Sequence, residues 1–308
     1  MKITRRPLAP THLFPLFLVL ASSSLHGGLV GSQPGIEFDP TLCTGHGGPC
    51  SQTFLTPSGL TATYQNSINV PVGLGQFGQF AGALSGHATI GASVGASSSI
   101  TLTNYAPETF SEEASDLGTV AALTSLWQDN LTIQGAPAGY NVIATVSLDG
   151  SITSPSEMFA SSAVVEPFLC DVEASGPCAF DNLILDTGDP VPPSLTLLFA
   201  PVTDYISIGM EIAVVSSLGG IFDDEATTFP NVTGTTSAQF GSTATLTSIL
   251  FVDAQGNPIP GISITSDSGA PFPLDPRNTQ AAVPEPGTLC MVAGTLLAVA
   301  SRRRRPSC

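Results

Sequence analysis

The chain has 308 residues, with eight Lys and Arg against 24 Asp and Glu and a formal net charge of −16 at pH 7. Its basic residues stand at the two ends: Lys2, Arg5 and Arg6 at the front, Arg277 and Arg302 to Arg305 at the back. The stretch 7–276 holds no Lys or Arg and every acidic residue except Glu285. Such a body is repelled by nucleic acid and by anionic membrane surfaces, so nucleic acid is excluded as a partner. Ion pairs have almost no cation to use, and Gly, Ser and Thr rather than charge keep the chain soluble.

The front end reads in the order charge, apolar run, small residues. Lys2, Arg5 and Arg6 precede Leu13 to Ala21, which is followed by Ser22, Ser23 and Ser24. That is the order of a secretory signal peptide. The nine-residue apolar run makes roughly 14 Å of helix, too short for a hydrocarbon core of about 30 Å. Residues 1–24 are therefore expected to be a signal peptide, cleaved between Ala21 and Gly28.

The body, 25–266, alternates with a period of two in many short runs. Strands are predicted at Thr61 to Val70, His87 to Val94, Ser98 to Tyr105, Val142 to Leu148, Leu195 to Ala200, Ile206 to Val214, Leu246 to Val252 and Ile262 to Thr265. Asp149-Gly150 and the segment Asp253 to Pro258 read as turns. Ser111 to Trp127 is the best helix candidate, with Ser111 as N-cap and Glu112 and Glu113 in the first turn. Together these predict an all-β body, an antiparallel sandwich or jelly roll. Asp186 to Pro193 is the place to divide it, were there two lobes.

Four cysteines fall in the body, Cys43 and Cys50, Cys170 and Cys178, each pair bracketing a short Gly- and Pro-containing loop. In an oxidising compartment two local disulfides are expected. Cys43, His46 and Cys50 also resemble part of a zinc site, without an obvious fourth ligand. Asp223, Asp224 and Glu225 are the densest acidic cluster, and Asp181, Asp186 and Asp189 a looser one. They read as solvated loops, with calcium as the alternative; no other cofactor is expected.

Two catalytic patterns occur by spacing alone. Gly91-Ala92-Ser93-Val94-Gly95 matches a nucleophile elbow, but all four histidines (His12, His26, His46, His87) precede Ser93 and no strand-turn-helix setting is predicted. Gly73-Leu74-Gly75-Gln76-Phe77-Gly78 matches a dinucleotide fingerprint, with no helical segment after it. Both read as turn glycines. Acidic pairs for glycoside hydrolysis exist in any chain this acidic, and none is singled out. The body is expected not to be an enzyme.

Pro-containing residues 267–282 read as a flexible tether. Beyond them Val283, Pro284, Glu285 and Pro286 precede an apolar run, Leu289 to Ala300, and the cluster Arg302, Arg303, Arg304 and Arg305. Twelve apolar residues give roughly 18 Å of helix. A membrane segment over 287–301 is expected, spanning with local thinning and with arginines snorkelling on the inner side.

The segment 283–308 resembles the PEP-CTERM sorting signal of bacteria that make extracellular polysaccharide. Val283, Pro284, Glu285 and Pro286 match its motif, and the apolar run and the arginines match its other two parts. The resemblance implies recognition by an exosortase, a membrane-embedded transpeptidase, transient inner-membrane association, and release of the body to the cell surface or extracellular matrix. The expected role is structural or adhesive, in contact with exopolysaccharide. A calcium- or carbohydrate-binding adhesion module is the alternative, and a secreted hydrolase a further one.

Overall fold

The computed structural model describes residues 33–44, 50–71, 78–105, 119–155, 159–172, 177–218 and 232–279. The signal-peptide expectation, the acidic cluster at Asp223 to Glu225 and the whole of 283–308 lie outside these residues. Among the described residues no helix is long and apolar enough to cross a membrane.

Among the described residues fifteen strands form two antiparallel sheets. The first runs β10 (Cys178–Phe180), β9 (Phe159–Asp171), β13 (Tyr205–Leu218), β6 (Thr119–Gln134), β1 (Gly35–Thr44), β2 (Cys50–Gln52), with β11 (Leu183–Asp186) on β9 and β15 (Ser263–Ser266) on β6. The second runs β12 (Ser194–Phe199), β7 (Asn141–Leu148), β14 (Val232–Val252), β5 (Ser93–Tyr105), β4 (Gln79–Thr89), β3 (Thr61–Pro71), with β8 (Ser151–Thr153) on β14.

One apolar core lies between the sheets. Leu42, Leu123, Trp127, Ile212 and Leu169 from the first meet Phe80, Ile100, Phe240, Val142 and Val146 from the second. Alternation places every second residue there, as expected for a sandwich. The close approach is set by small residues: a Cβ on Gly86 of β4 would lie 2.6 Å from Ser125 Oγ. Loop 187–193 joins β11 in one sheet to β12 in the other, so it connects layers and divides no lobes.

Buried hydroxyls also join the layers. Ser216 of β13 bonds Ser98 of β5 at 2.9 Å and Ser161 of β9 at 3.0 Å; Ser161 bonds Thr236 of β14 at 2.6 Å. Thr236 then donates to the Thr153 carbonyl at 3.0 Å. Ser216, Ser161 and Thr236 each give one bond and accept another, so burial leaves them satisfied.

The predicted helix is corrected by the fold. From Thr119 to Trp127 the chain is strand β6, paired with β1 on one side and β13 on the other. Ala121, Leu123 and Trp127 alternate into the core. Two flanking ladders override a helical propensity already weakened by Gly118. Residues 111–118 lie outside the described part.

The segment read as a tether also differs in its first thirteen residues, 267–279, which are bound to the sandwich. β15 pairs with β6 in the first sheet. Leu274 then bridges Ile249 in the second, and a single helical turn α1 (Pro276–Thr279) follows. Asn278 is fully buried, with Oδ1 accepting from Phe251 N at 2.9 Å. Its Nδ2 donates to the carbonyls of Phe251 at 2.8 Å and Ile259 at 2.7 Å. A strap thus crosses from one sheet to the other. Its Pro and Ser content resembles a linker's, yet its polar groups find partners.

Replacing Asn278→Ala leaves the Phe251 N–H and the Ile259 carbonyl without this partner, while the Phe251 carbonyl keeps its bond from Ile259 N at 3.0 Å, so a loss of about 3 kcal/mol is expected, lowering Tm by roughly 10 °C. An unchanged Tm in thermal unfolding of the full chain would mean the strap does not hold the sandwich.

Candidate binding face and C-terminal strap

Of the sequence-predicted residues, the structure brings Cys170 and Cys178 together as a disulfide closing the β9–β10 turn. Cys43 is disulfide-bonded, and its backbone partner across the β1–β2 ladder is Cys50. A disulfide uses the thiolate that zinc would need. No group of three or more metal-ligating side chains occurs among the described residues. In the looser acidic cluster Asp189 accepts the Asp186 N–H at 2.9 Å, an ordinary turn bond.

Both catalytic patterns find other settings. Gly91 (φ 74°) and Ala92 turn the chain between β4 and β5, so the stretch predicted as one strand over His87 to Val94 is a hairpin corner. Ser93 starts strand β5 where an elbow requires a helix. The fold does bring His87 to it, with Nε2 3.4 Å from Ser93 Oγ, although His87 precedes it in sequence. The imidazole also bonds the Gly241 carbonyl, and burial lowers its pKa, which keeps it neutral at neutral pH. After Gly78 comes strand β4, with no helix N-terminus to receive a phosphate.

A second buried cluster ties the strap to the first sheet. Asp129 of β6 is fully buried and accepts from Asn130 N at 2.8 Å, Ser268 N at 3.2 Å and Ser268 Oγ at 2.5 Å. Beside it Asp267 Oδ2 accepts from Tyr205 Oη at 2.6 Å and Asn130 Nδ2 at 3.3 Å. Phe272 then packs edge-on against Trp127 with ring centres 6.1 Å apart. Arg277, the body's one cation, grips Asp275 with two bonds of 2.9 and 3.0 Å.

The outer face of the second sheet is different in kind. Its side chains fall in rows across four strands: Gln65, Ser85, Ser97 and Gln239 in one, Ser67, Ala83, Ser99 and Ser237 in the next. The floor of small residues on β4 and β5 lies between longer amides on β3 and β14. The result is an open groove of about 580 Å³ with no charged group in its lining. Alternating polar residues from Thr61 to Asn69 are visible in the sequence. Their alignment with β5 and β14, which brings the four-residue rows together, is not.

Burial raises the carboxyls of Glu37, Asp39, Asp129 and Asp186. Bonds from Gln52 to Asp39 and from Ser268 and Asn130 to Asp129 pull the other way, while Asp189 adds to the rise at Asp186. Bonds from Asn257 lower Asp253, and the Arg277 clamp lowers Asp275 to about 2. A raised carboxyl binds its proton more tightly in the folded chain, so stability grows as pH falls from neutrality toward the ordinary carboxylate range. The lowered pair contributes stability that is lost only below its ordinary value of 3.8. Tm is therefore expected to be higher at roughly pH 5 than at roughly pH 7.5, and to fall in strong acid. A Tm that declines steadily from neutrality down would contradict this.

Comparison with curated proteins finds no match. Among solved structures, one of the infectious bursal disease virus Gx strain aligns over 90% of this chain and 76% of that chain at 9% identity, with a TM-score of 0.12. A similarity that slight carries no argument. The family match falls elsewhere, on the C-terminal segment beginning three residues after the strap's last helical turn. It covers the Pro-Glu-Pro triplet, the apolar run and the arginine cluster. This chain carries a PEP-CTERM protein-sorting motif at residues 282–305, the signal of an exported protein sorted by an exosortase.

Proposed function

We propose that the chain is a non-enzymatic surface or matrix protein with a structural or adhesive role. It is made with a cleaved signal peptide, held briefly in the inner membrane by residues 287–301, and released by an exosortase near Pro284-Glu285-Pro286. The single observation that carries this reading is the sorting motif at 282–305. The body agrees with such a life: a disulfide belongs in an oxidising compartment. An acidic body with hydroxyl- and amide-rich faces is soluble outside the cell.

Catalysis has little to recommend it. Ser93 and His87 are neighbours, but the ring's second partner is a backbone carbonyl rather than a carboxylate, and a serine nucleophile works through an oriented, charge-stabilised base. The buried carboxylate Asp129 is occupied by the Asn130 N–H of its own strand and by Ser268 of the strap. Extracellular polysaccharide is the proposed partner. The calcium reading retains only the cluster Asp223, Asp224 and Glu225, and is the second choice.

Intact mass of the protein from surface and culture fractions tests the reading, with Pro284, Glu285 and Pro286 replaced by Ala as the comparison. The expected wild-type species lacks both ends, while the variant keeps its C-terminal segment and stays with the inner membrane. Retention of the tail by both would reduce 282–305 to a plain anchor and remove the exosortase from the account.

A further inference from the structure

We infer that the groove on the outer face of the second sheet binds one chain of an uncharged glycan. Its core is the row Gln65, Ser85, Ser97 and Gln239. Elsewhere on this face hydroxyls satisfy one another. Thr61 meets Thr89 at 3.4 Å, Thr101 meets Thr235 at 2.9 Å, and Thr153 meets Ser237 at 3.0 Å. The other polar side chains of the two rows do not. Gln65, Ser85, Ser97, Ser99 and Gln239 make no side-chain hydrogen bond to another described residue. Ser97 is only 6% exposed, and its remaining exposure opens into the groove. A hydroxyl that far removed from solvent is normally paired within the protein, so the site is built with donors and acceptors left over for something else.

The chemistry of the lining selects the partner. A protein interface needs apolar or aromatic anchors, and the side chains that line this groove from its outer face are Gln, Ser and Ala. Divalent cations need carboxylates, which the lining lacks. Nucleic acids and anionic polysaccharides meet a body of strong negative charge. What remains is a ligand that is itself an array of neutral hydroxyls, each giving and accepting one hydrogen bond. Strands lie about 4.8 Å apart, so the two glutamines stand about 14 Å apart across three spacings. That width admits a single extended glycan over the serine floor, with the amides reaching in from both sides. Rows repeat along the strands, so successive sugar units meet successive rows. This deepens the proposed extracellular role, and rests on it only for where the glycan is met.

Affinity electrophoresis of the detergent-purified full chain tests the inference. The probes are dextran, amylose, mannan and laminarin, with alginate and polygalacturonate as anionic controls. At least one neutral glycan is expected to retard the wild type, and the anionic ones not to. The double variant Gln65→Ala, Gln239→Ala is expected to weaken retardation at least tenfold with Tm unchanged, because both side chains are exposed and unbonded. Gln255→Ala, in a distant exposed turn, should bind as the wild type does. Retardation by none of the four neutral glycans overturns the inference. So does retardation equal in wild type and double variant, or equal with the anionic polymers. The variant with Ala at 284–286 should bind the same glycan, so failure of sorting and failure of binding are read separately.

Discussion

A body with one cation cannot be held together by ion pairs, and this constraint shapes everything else in the molecule. The ion pair among its described residues, Arg277 with Asp275, is on the surface of the strap and exposed on the arginine side. Such pairs contribute little. The work falls to burial between two sheets and to hydrogen bonds that carry no charge. Trp127, Phe38, Phe80, Phe240 and Phe251 fill the interlayer space. Between the sheets it links serine and threonine hydroxyls, as at Ser98, Ser216, Ser161 and Thr236. Self-repulsion among the carboxylates is the standing cost, and mild acid relieves it.

The same constraint explains the strap. A sandwich of this kind has open ends, and one of them is closed by the last described residues of the chain. Ser268 caps the buried Asp129, Phe272 covers Trp127, and Asn278 plugs the backbone at Phe251 and Ile259. From Thr279 to Pro284 there are five peptide steps, at most about 18 Å of extended chain. The sorting motif therefore follows the folded body directly. Completion of the fold and presentation of the motif belong to neighbouring residues.

Much of the architecture was legible in the residues. Alternation located β3, β5, β7, β12 and β13, and Asp253 to Pro258 is the expected turn, with Asp253 N bonded to the Asn257 carbonyl at 2.9 Å. What escaped was pairing between distant strands. Asp149-Gly150 looks like a hairpin turn, yet β8 beyond it pairs with β14 rather than with β7. Ile262 to Thr265 looks like the return of β14, yet β15 crosses to β6. The helix reading at Ser111 to Trp127 failed for the same reason, because the two ladders that make Thr119 to Trp127 a strand come from β1 and β13, far away in sequence. The groove was hidden likewise: each strand shows only its own Ser or Gln, and register alone aligns Gln65 with Gln239. The disulfide pair Cys170 and Cys178, by contrast, is local and could be read from spacing.

The central claim is that the folded body is delivered outside the cell with the uncharged face of its second sheet open to the surroundings. Thr63 lies exposed on that face, in strand β3. The direct measurement is labelling of a Thr63→Cys variant, with Cys290 and Cys308 changed to Ser, by a membrane-impermeant maleimide on intact cells. The account predicts labelling without lysis, together with labelled protein in the medium. Labelling only after the cells are broken would contradict it.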